Sequence, residues 1–233
     1  MMSELPLGEP IDFTAALLPD GRPLAGRYVT LRPLDPAADA EPLYAVTHPP
    51  SGDAGVWRYL FEGPFESVDE LRATVEAWAA DPARRFYAVC PEGARDPLGV
   101  LAYLRMEPAH GSIEIGHILF AAGLRRTRAA TETIFLLARE AFEALGYRRL
   151  EWKCNALNAG SRRAAERFGF AFEGVFAQHM VIKGRNRDTA WYAITDRRWP
   201  AVRAGFEAWL DPANFDAQGR QIRRLEDLRP LRA

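Results

Sequence analysis

Lysine is almost missing from this chain. Of its 30 basic residues only Lys153 and Lys183 are lysines, and the rest are arginines. With alanine and proline abundant, this bias reflects the base composition of a gene before it reflects function, so an arginine cluster has to be judged by position and not by count. Cysteine is as scarce, and Cys90 and Cys154 offer neither a disulfide framework nor a zinc spacing. His48, His110, His117 and His179 have no metal-ligand spacing either, so no metal is assigned. No apolar run approaches the roughly 18 residues of a membrane span. The opening "MMSELPLGEPIDFTAALLPDG" lacks the basic start and apolar core of a secretory signal. The expectation is a reduced, cytoplasmic protein with no membrane association. A formal net charge of −1 also argues against bulk attraction to nucleic acid.

What is present reads as an ordinary globular chain of 233 residues, 48% hydrophobic and 26% charged. No repeat, low-complexity segment or convincing linker interrupts it. One domain over 1–233 is expected, with a core at about 26–196 and N- and C-terminal extensions. "GRYVTLRPL" (26–34) alternates like a strand. "PPSGDAGVWRYLFEGPF" (49–65) is loop-like yet aromatic, so its rings either line a pocket or pack. "ESVDELRATVEAWAAD" has Ser67 and Glu70 in capping-box spacing before a helical face of Leu71, Val75 and Trp78. Strands follow at "RRFYAVC", "LGVLAYLRM" and "SIEIGHILF" (112–120). Residues 127–145 read as the best helix, stopped by Gly146. A strand at 148–155, a short helix from Asn158 to Gly169, two strands near 171–183 and 187–195, a last helix and a polar tail complete the chain. The order implies a mixed α/β domain with an antiparallel group before the long helix and a parallel crossover at 112–155.

"LFAAGLRRTRAATETIFLL" (119–137) carries the first chemical signal. Arg125, Arg126 and Arg128 crowd a helix start, where the helix dipole disfavours cations. A strand that turns into a helix N-terminus leaves backbone N–H groups without partners, a ready anion site. Thr127 and Thr131 add hydroxyls, and arginines suit phosphate geometry. The alternative is three solvated arginines in an arginine-rich protein. The stretch is neither a P-loop nor a dinucleotide fingerprint.

From "SIEIG" through "NALNAGSRRAAERFGF" the chain strongly resembles the GCN5-related N-acetyltransferases, in particular the branch that holds ribosomal-protein N-terminal acetyltransferases. The resemblance covers roughly residues 26–196. It rests on four ordered pieces: the "EIG" strand, the turn and helix, a strand ending in Asn155, and a string of Asn158, Ser161, Glu166, Gly169 and Phe170. It implies a mixed, mostly antiparallel twisted sheet of about six to seven strands flanked by helices, with a central parallel pair splayed around the cofactor. It also implies acetyl-CoA as co-substrate. Backbone groups of Ile118, Leu119 and Phe120 would pair with pantetheine. The turn Arg125, Arg126, Thr127, Arg128, Ala129, Ala130, Thr131 would hold the pyrophosphate, and Asn155, Asn158 and Ser161 would face pantetheine and thioester. The family's usual turn, Q/R-x-x-G-x-G/A, has Gly where this chain has Arg128. Helical backbone tolerates any residue there, so retained binding is expected, with Arg128 reaching outward to add charge.

Amine acylation needs a proton acceptor, oxyanion donors and sometimes an acid for the thiolate. Many relatives place a tyrosine where this chain has Ala165, so Ser161 becomes the substitute acid. Glu114 and His117 are the base candidates. A regular strand puts residues three apart on opposite faces, and only a bulge brings both into one cleft. Each also has a plain reading, as a pairing carboxylate and a core histidine. Cys154 reads as a packed strand residue, with covalent transfer as an alternative.

The function expected is N-acyl transfer from acetyl-CoA to a primary amine in a ternary complex. The acceptor would be a small-molecule amine or a protein N-terminus, and the protein a monomer or homodimer. A non-catalytic acyl-CoA-binding or regulatory module, and transfer of a larger acyl group such as succinyl, are the alternatives.

Overall fold

The eight strands of the computed structural model, which describes residues 7–230, form one sheet. They are β1 (Leu24–Ala25), β2 (Val29–Pro33), β3 (Arg85–Pro91), β4 (Gly99–Glu107), β5 (Ser112–Phe120), β6 (Arg149–Asn155), β7 (Ala171–Ile182) and β8 (Arg185–Thr195). Their order across the sheet is β1-β2-β3-β4-β5-β6-β8-β7. The expected six to seven strands become eight because β1, two residues long, is too short to leave an alternation in the sequence. The helices are α1 (Pro36–Thr47), α2 (Val68–Ala80), α3 (Arg128–Arg139), α4 (Ala159–Arg167), α5 (Trp199–Leu210) and α6 (Leu225–Leu228).

Every strand pairing is antiparallel except β5 with β6. That parallel pair holds for three positions only, Ser112–Arg149, Ile113–Leu150 and Glu114–Glu151. Beyond them the strands diverge, and the facing edges keep backbone groups free that a sheet would normally pair. The β4–β5 ladder shifts register between Ala102–Gly116 and Val100–Leu119, which makes His117 a bulge residue with φ +52°. A second shift in the same pair lies at Arg105, φ +43°.

Each face of the sheet carries its own core. Ile113, Ile115, Leu150, Trp152 and Tyr192 pack with Ile134 and Leu137 of α3 and Phe206 of α5. Leu71, Val75 and Trp78 of α2 pack with Phe86, Val100 and Leu119 on the other face. The long helix predicted at 127–145 divides into α3 and a wider π turn over Glu140–Ala144, and Gly146, φ +77°, ends it. The tail is not merely polar: Leu225 is 1% exposed, and Trp209 Nε1 donates to Gln221 Oε1 at 2.8 Å. Its apolar anchors, Phe215, Leu225 and Leu228, are spaced too sparsely to show a period in the sequence.

Glu132 of α3 ties the helix to the sheet edge. Its buried carboxylate accepts the N–H groups of Arg27 at 2.9 Å and Tyr28 at 2.6 Å. Glu132→Ala leaves both donors without a partner, and a loss of about 3 kcal/mol in unfolding free energy is expected from urea titration. A loss below about 0.5 kcal/mol would mean that water replaces the carboxylate.

Candidate active site

The divergence of β5 and β6 opens a cleft of about 630 Å³. One mouth lies at the turn before α3 and at α4, and the other lies under the 54–61 loop and the β7–β8 hairpin. Because the bulge at His117 breaks the alternation by one residue, Glu114 and His117 share the face away from α3, while Ile118 and Phe120 point to the α3 side.

At the first mouth, Thr127 caps α3, its Oγ1 accepting from Ala130 N at 3.1 Å and donating to Leu124 O at 2.7 Å. The N–H groups of Arg126, Arg128 and Ala129 form no hydrogen bond among the described residues. Arg126 itself sits at φ +63°, the left-handed conformation found in backbone nests. Arg125 and Arg126 line the cleft, and Arg125 Nε donates to Phe120 O at 2.9 Å. Arg128 does not line it. Its guanidinium lies 3.9 Å over the Phe215 ring and 5.3 Å over Tyr28, so the expected outward reach toward an anion is replaced by stacking on the C-terminal extension. The charge comes instead from α4: Arg163 and Arg167 line the cleft, and Arg167 Nη1 donates to Thr131 Oγ1 at 3.2 Å. Burial lowers the Arg167 guanidinium below its ordinary pKa. Ala129 and Thr131 are buried beneath this mouth, and Ala130 lines it.

Further along, Ile118 and Phe120 line the cleft, whereas Leu119 is buried in the opposite core with its backbone in register with Val100. Asn155 and Asn158 follow on the β6 side. Asn158 Oδ1 caps α4 by accepting from Ser161 N at 3.0 Å. Ser161 Oγ accepts from Trp152 Nε1 at 2.9 Å, and the residue lines the cleft. Ala165 is fully buried in the core and supplies no polar group. Burial pushes the Cys154 thiol up, which disfavours the thiolate that covalent transfer would need.

Glu114 is 3% exposed and meets two cations at one oxygen: Arg105 Nη1 lies 2.5 Å and Lys153 Nζ 3.0 Å from its Oε2. Lys153 also meets Glu151 Oε2 at 2.6 Å and stands 4.0 Å over the Trp191 ring. Glu114 Oε1 accepts no hydrogen bond among the described residues. His117 packs edge-on against Trp78 and Phe86, with ring centroids 4.4 Å and 5.1 Å away. Its Nε2 is buried without a partner, 3.9 Å from an equally unpartnered Oε2 of Glu62. Burial first, and then the Arg84 charge, lower His117 from 6.5 to about 3. The ring is therefore neutral at neutral pH.

That shift has a measurable consequence. Between pH 6.5 and 3 the unfolded chain binds a proton at His117 that the folded protein does not, so stability falls as pH falls through this window. Between pH 7 and pH 5 this residue accounts for a loss of about 2 kcal/mol at about 1.4 kcal/mol per pH unit. His117→Phe is expected to reduce the pH 7 to pH 5 difference in urea-unfolding free energy by that amount. His48, also lowered by burial, stays in both proteins and cancels. Parallel stability–pH curves would show that His117 is protonated or solvated in the fold.

The second mouth was least visible in the sequence. Of the loop aromatics, Trp57 is buried and Phe65 packs beside it, while Tyr59 and Phe61 line the cleft. Lys183, at the hairpin tip, donates to Trp57 O at 3.0 Å, Glu62 O at 2.9 Å and Gly63 O at 2.5 Å, pinning the loop over the cleft. Gly63 is required there: at φ +63°, a Cβ would stand 2.7 Å from Trp57 Cε3. His48 Nε2 anchors the same loop by accepting from Phe65 N at 3.0 Å. Arg105, Lys153 and Arg187 add cationic lining. The signal for two of these sites was the scarcity of lysine: in a chain that otherwise uses arginine, both lysines hold positions where a compact ammonium meets several oxygens at once.

A family model for the acetyltransferase (GNAT) domain matches residues 29–171. The chain is 41% identical to a GCN5-related N-acetyltransferase from Brucella melitensis, over 94% of this chain and 99% of that one, with a TM-score of 0.90. It is also 41% identical to a GNAT-family protein from Chromobacterium violaceum, over 85% and 99% of the two chains, with a TM-score of 0.79. Microcin C7 self-immunity acetyltransferase MccE, solved with acetyl-CoA and AMP, shares the fold at 20% identity, over 73% and 93% of the chains, with a TM-score of 0.64. No curated protein matches the chain.

Proposed function

The chain belongs to the GNAT acetyltransferase family, and on that premise we propose that it transfers an acetyl group from acetyl-CoA to a primary amine by direct attack in a ternary complex. The observation that carries this reading is the splayed β5–β6 pair, with free N–H groups and arginines at one mouth and an aromatic, charged pocket at the other. The cleft fits coenzyme A chemically. Arg126 and Arg163, with the amides of Arg126, Arg128 and Ala129, would hold phosphates, and Arg125 would brace the turn. The unpaired edges beside Ile118 and Phe120 would hold the pantetheine amides, and Asn155 and Asn158 would flank them. Bound acetyl-CoA supplies an activated acyl group on a thiol leaving group.

The chain's own groups divide the remaining work. The Ser161 hydroxyl, oriented by the Trp152 indole, would donate its proton toward the departing sulfur. The Glu114 carboxylate, held by Arg105 and Lys153, would accept a proton from the acceptor ammonium at Oε1. Neutral His117, beside Glu62, would accept a hydrogen bond from water in the cleft and position it, a task that suits a ring too weakly basic to hold the proton. The test is thiol release from acetyl-CoA across a panel of amines, with mass detection of the acetylated product. Tight coenzyme A binding with no product from any amine class would overturn the reading.

A further inference from the structure

Arg187 of β8 is 7% exposed, yet no carboxylate pairs with it among the described residues. Its Nε donates to Thr189 Oγ1 at 3.2 Å, its guanidinium lies 5.3 Å over the Phe61 ring, and the side chain lines the second mouth of the cleft. Two other sequestered arginines have carboxylate partners: Asp39 raises Arg32, and Glu173 raises Arg149, each through direct hydrogen bonds. Burial lowers Arg187, as it lowers Arg167 at the first mouth and Arg229. Glu114 acts on Arg187 only from a distance and is already shared by Arg105 and Lys153. A desolvated cation without a counter-ion is costly, and folds keep one where a ligand provides the partner. An ammonium acceptor with no other charge would add to the positive charge beside it.

We propose that the acceptor amine carries an anionic group, a carboxylate or a phosphate, and that Arg187 is the residue that binds it. The planar fork of Arg187 offers two parallel donors, the geometry that both anions take. Thr189 fixes the fork through Nε, and Phe61 covers its face, so only its outer nitrogens are left for a ligand. This inference rests on the acetyltransferase reading and names the chemistry of its acceptor.

The experiment compares three series of amines of matched length: aminoalkyl carboxylates, aminoalkyl phosphates and the corresponding amino alcohols. For the parent protein, kcat/KM is expected to be higher for an anionic series than for the alcohols, and the better of the two identifies the anion. Arg187→Ala should reduce that preference about tenfold or more, mostly through KM, and Arg187→Lys should restore part of it. Equal kcat/KM for all three series, or a preference that Arg187→Ala leaves intact, overturns the inference while the acetyltransferase reading stands. If no amine is acetylated, calorimetric titration of the coenzyme A complex with an aminoalkyl carboxylate and an aminoalkyl phosphate decides it. Binding that Arg187→Ala abolishes supports the anion site, and absence of binding to the parent overturns it.

Discussion

Glu114→Gln lowers kcat by about two to three orders of magnitude and leaves KM for acetyl-CoA within about threefold of the parent value. The expectation follows from how Oε2 and Oε1 are used. Oε2 is shared by Arg105 and Lys153, which fix the carboxylate in place, and Oε1 is the oxygen proposed to meet the acceptor ammonium. The glutamine keeps the shape but loses the charge that draws an ammonium in and the basicity that removes its proton. It also leaves Arg105 and Lys153 with one fewer anion, although Glu151 still holds Lys153 at 2.6 Å. Removing one member of a buried charge cluster destabilises a fold, and about 2 kcal/mol is expected from urea unfolding. The rate loss must therefore be measured well below the unfolding midpoint, so that the fraction folded does not enter it. A variant within tenfold of the parent kcat would move proton acceptance to water held by His117 and Glu62.

The fold was legible where periodicity was strong. The apolar steps of α3, the alternation at 26–34 that becomes β2 and the capping residues Ser67 and Asn158 all appear in the structure with the expected roles. The splay of β5 from β6 followed from the resemblance, but its cause, pairing confined to three positions, involves no special residue type and leaves no pattern in one sequence. The bulge was foreseen as the condition for Glu114 and His117 to share a face, and it lies at His117 itself. What stayed hidden depends on contacts between distant segments. Arg128 meets Phe215 and Tyr28, Lys183 meets carbonyls about 120 residues away, and Glu114 meets Lys153 across the parallel pair. The same arginine-rich string thus held one residue that binds the chain's own tail and two that face the cleft, and only their surroundings separate them.

The double variant Arg126→Ala, Arg163→Ala weakens coenzyme A binding about a hundredfold. Both side chains are exposed, and neither has a hydrogen-bond or ion-pair partner among the described residues, so their removal costs the fold little. Each would form a charge-assisted contact to phosphate, and such a contact corresponds to about tenfold in affinity. The free N–H groups of the turn remain in the variant, which is why binding weakens and does not vanish. Arg128→Ala supplies the contrast. Its guanidinium stacks on Phe215 outside the cleft, so this change is expected to loosen the C-terminal extension with less than about twofold effect on coenzyme A. Calorimetric titration with coenzyme A, 3′-dephospho-coenzyme A and pantetheine separates the contributions. If the double variant loses affinity equally for the first two ligands, the arginines serve the pyrophosphate. If its loss is confined to coenzyme A, they serve the 3′-phosphate. Should Arg128→Ala weaken binding as much as the double variant, the Arg128 guanidinium reaches the phosphates, and its assignment to the C-terminal extension fails.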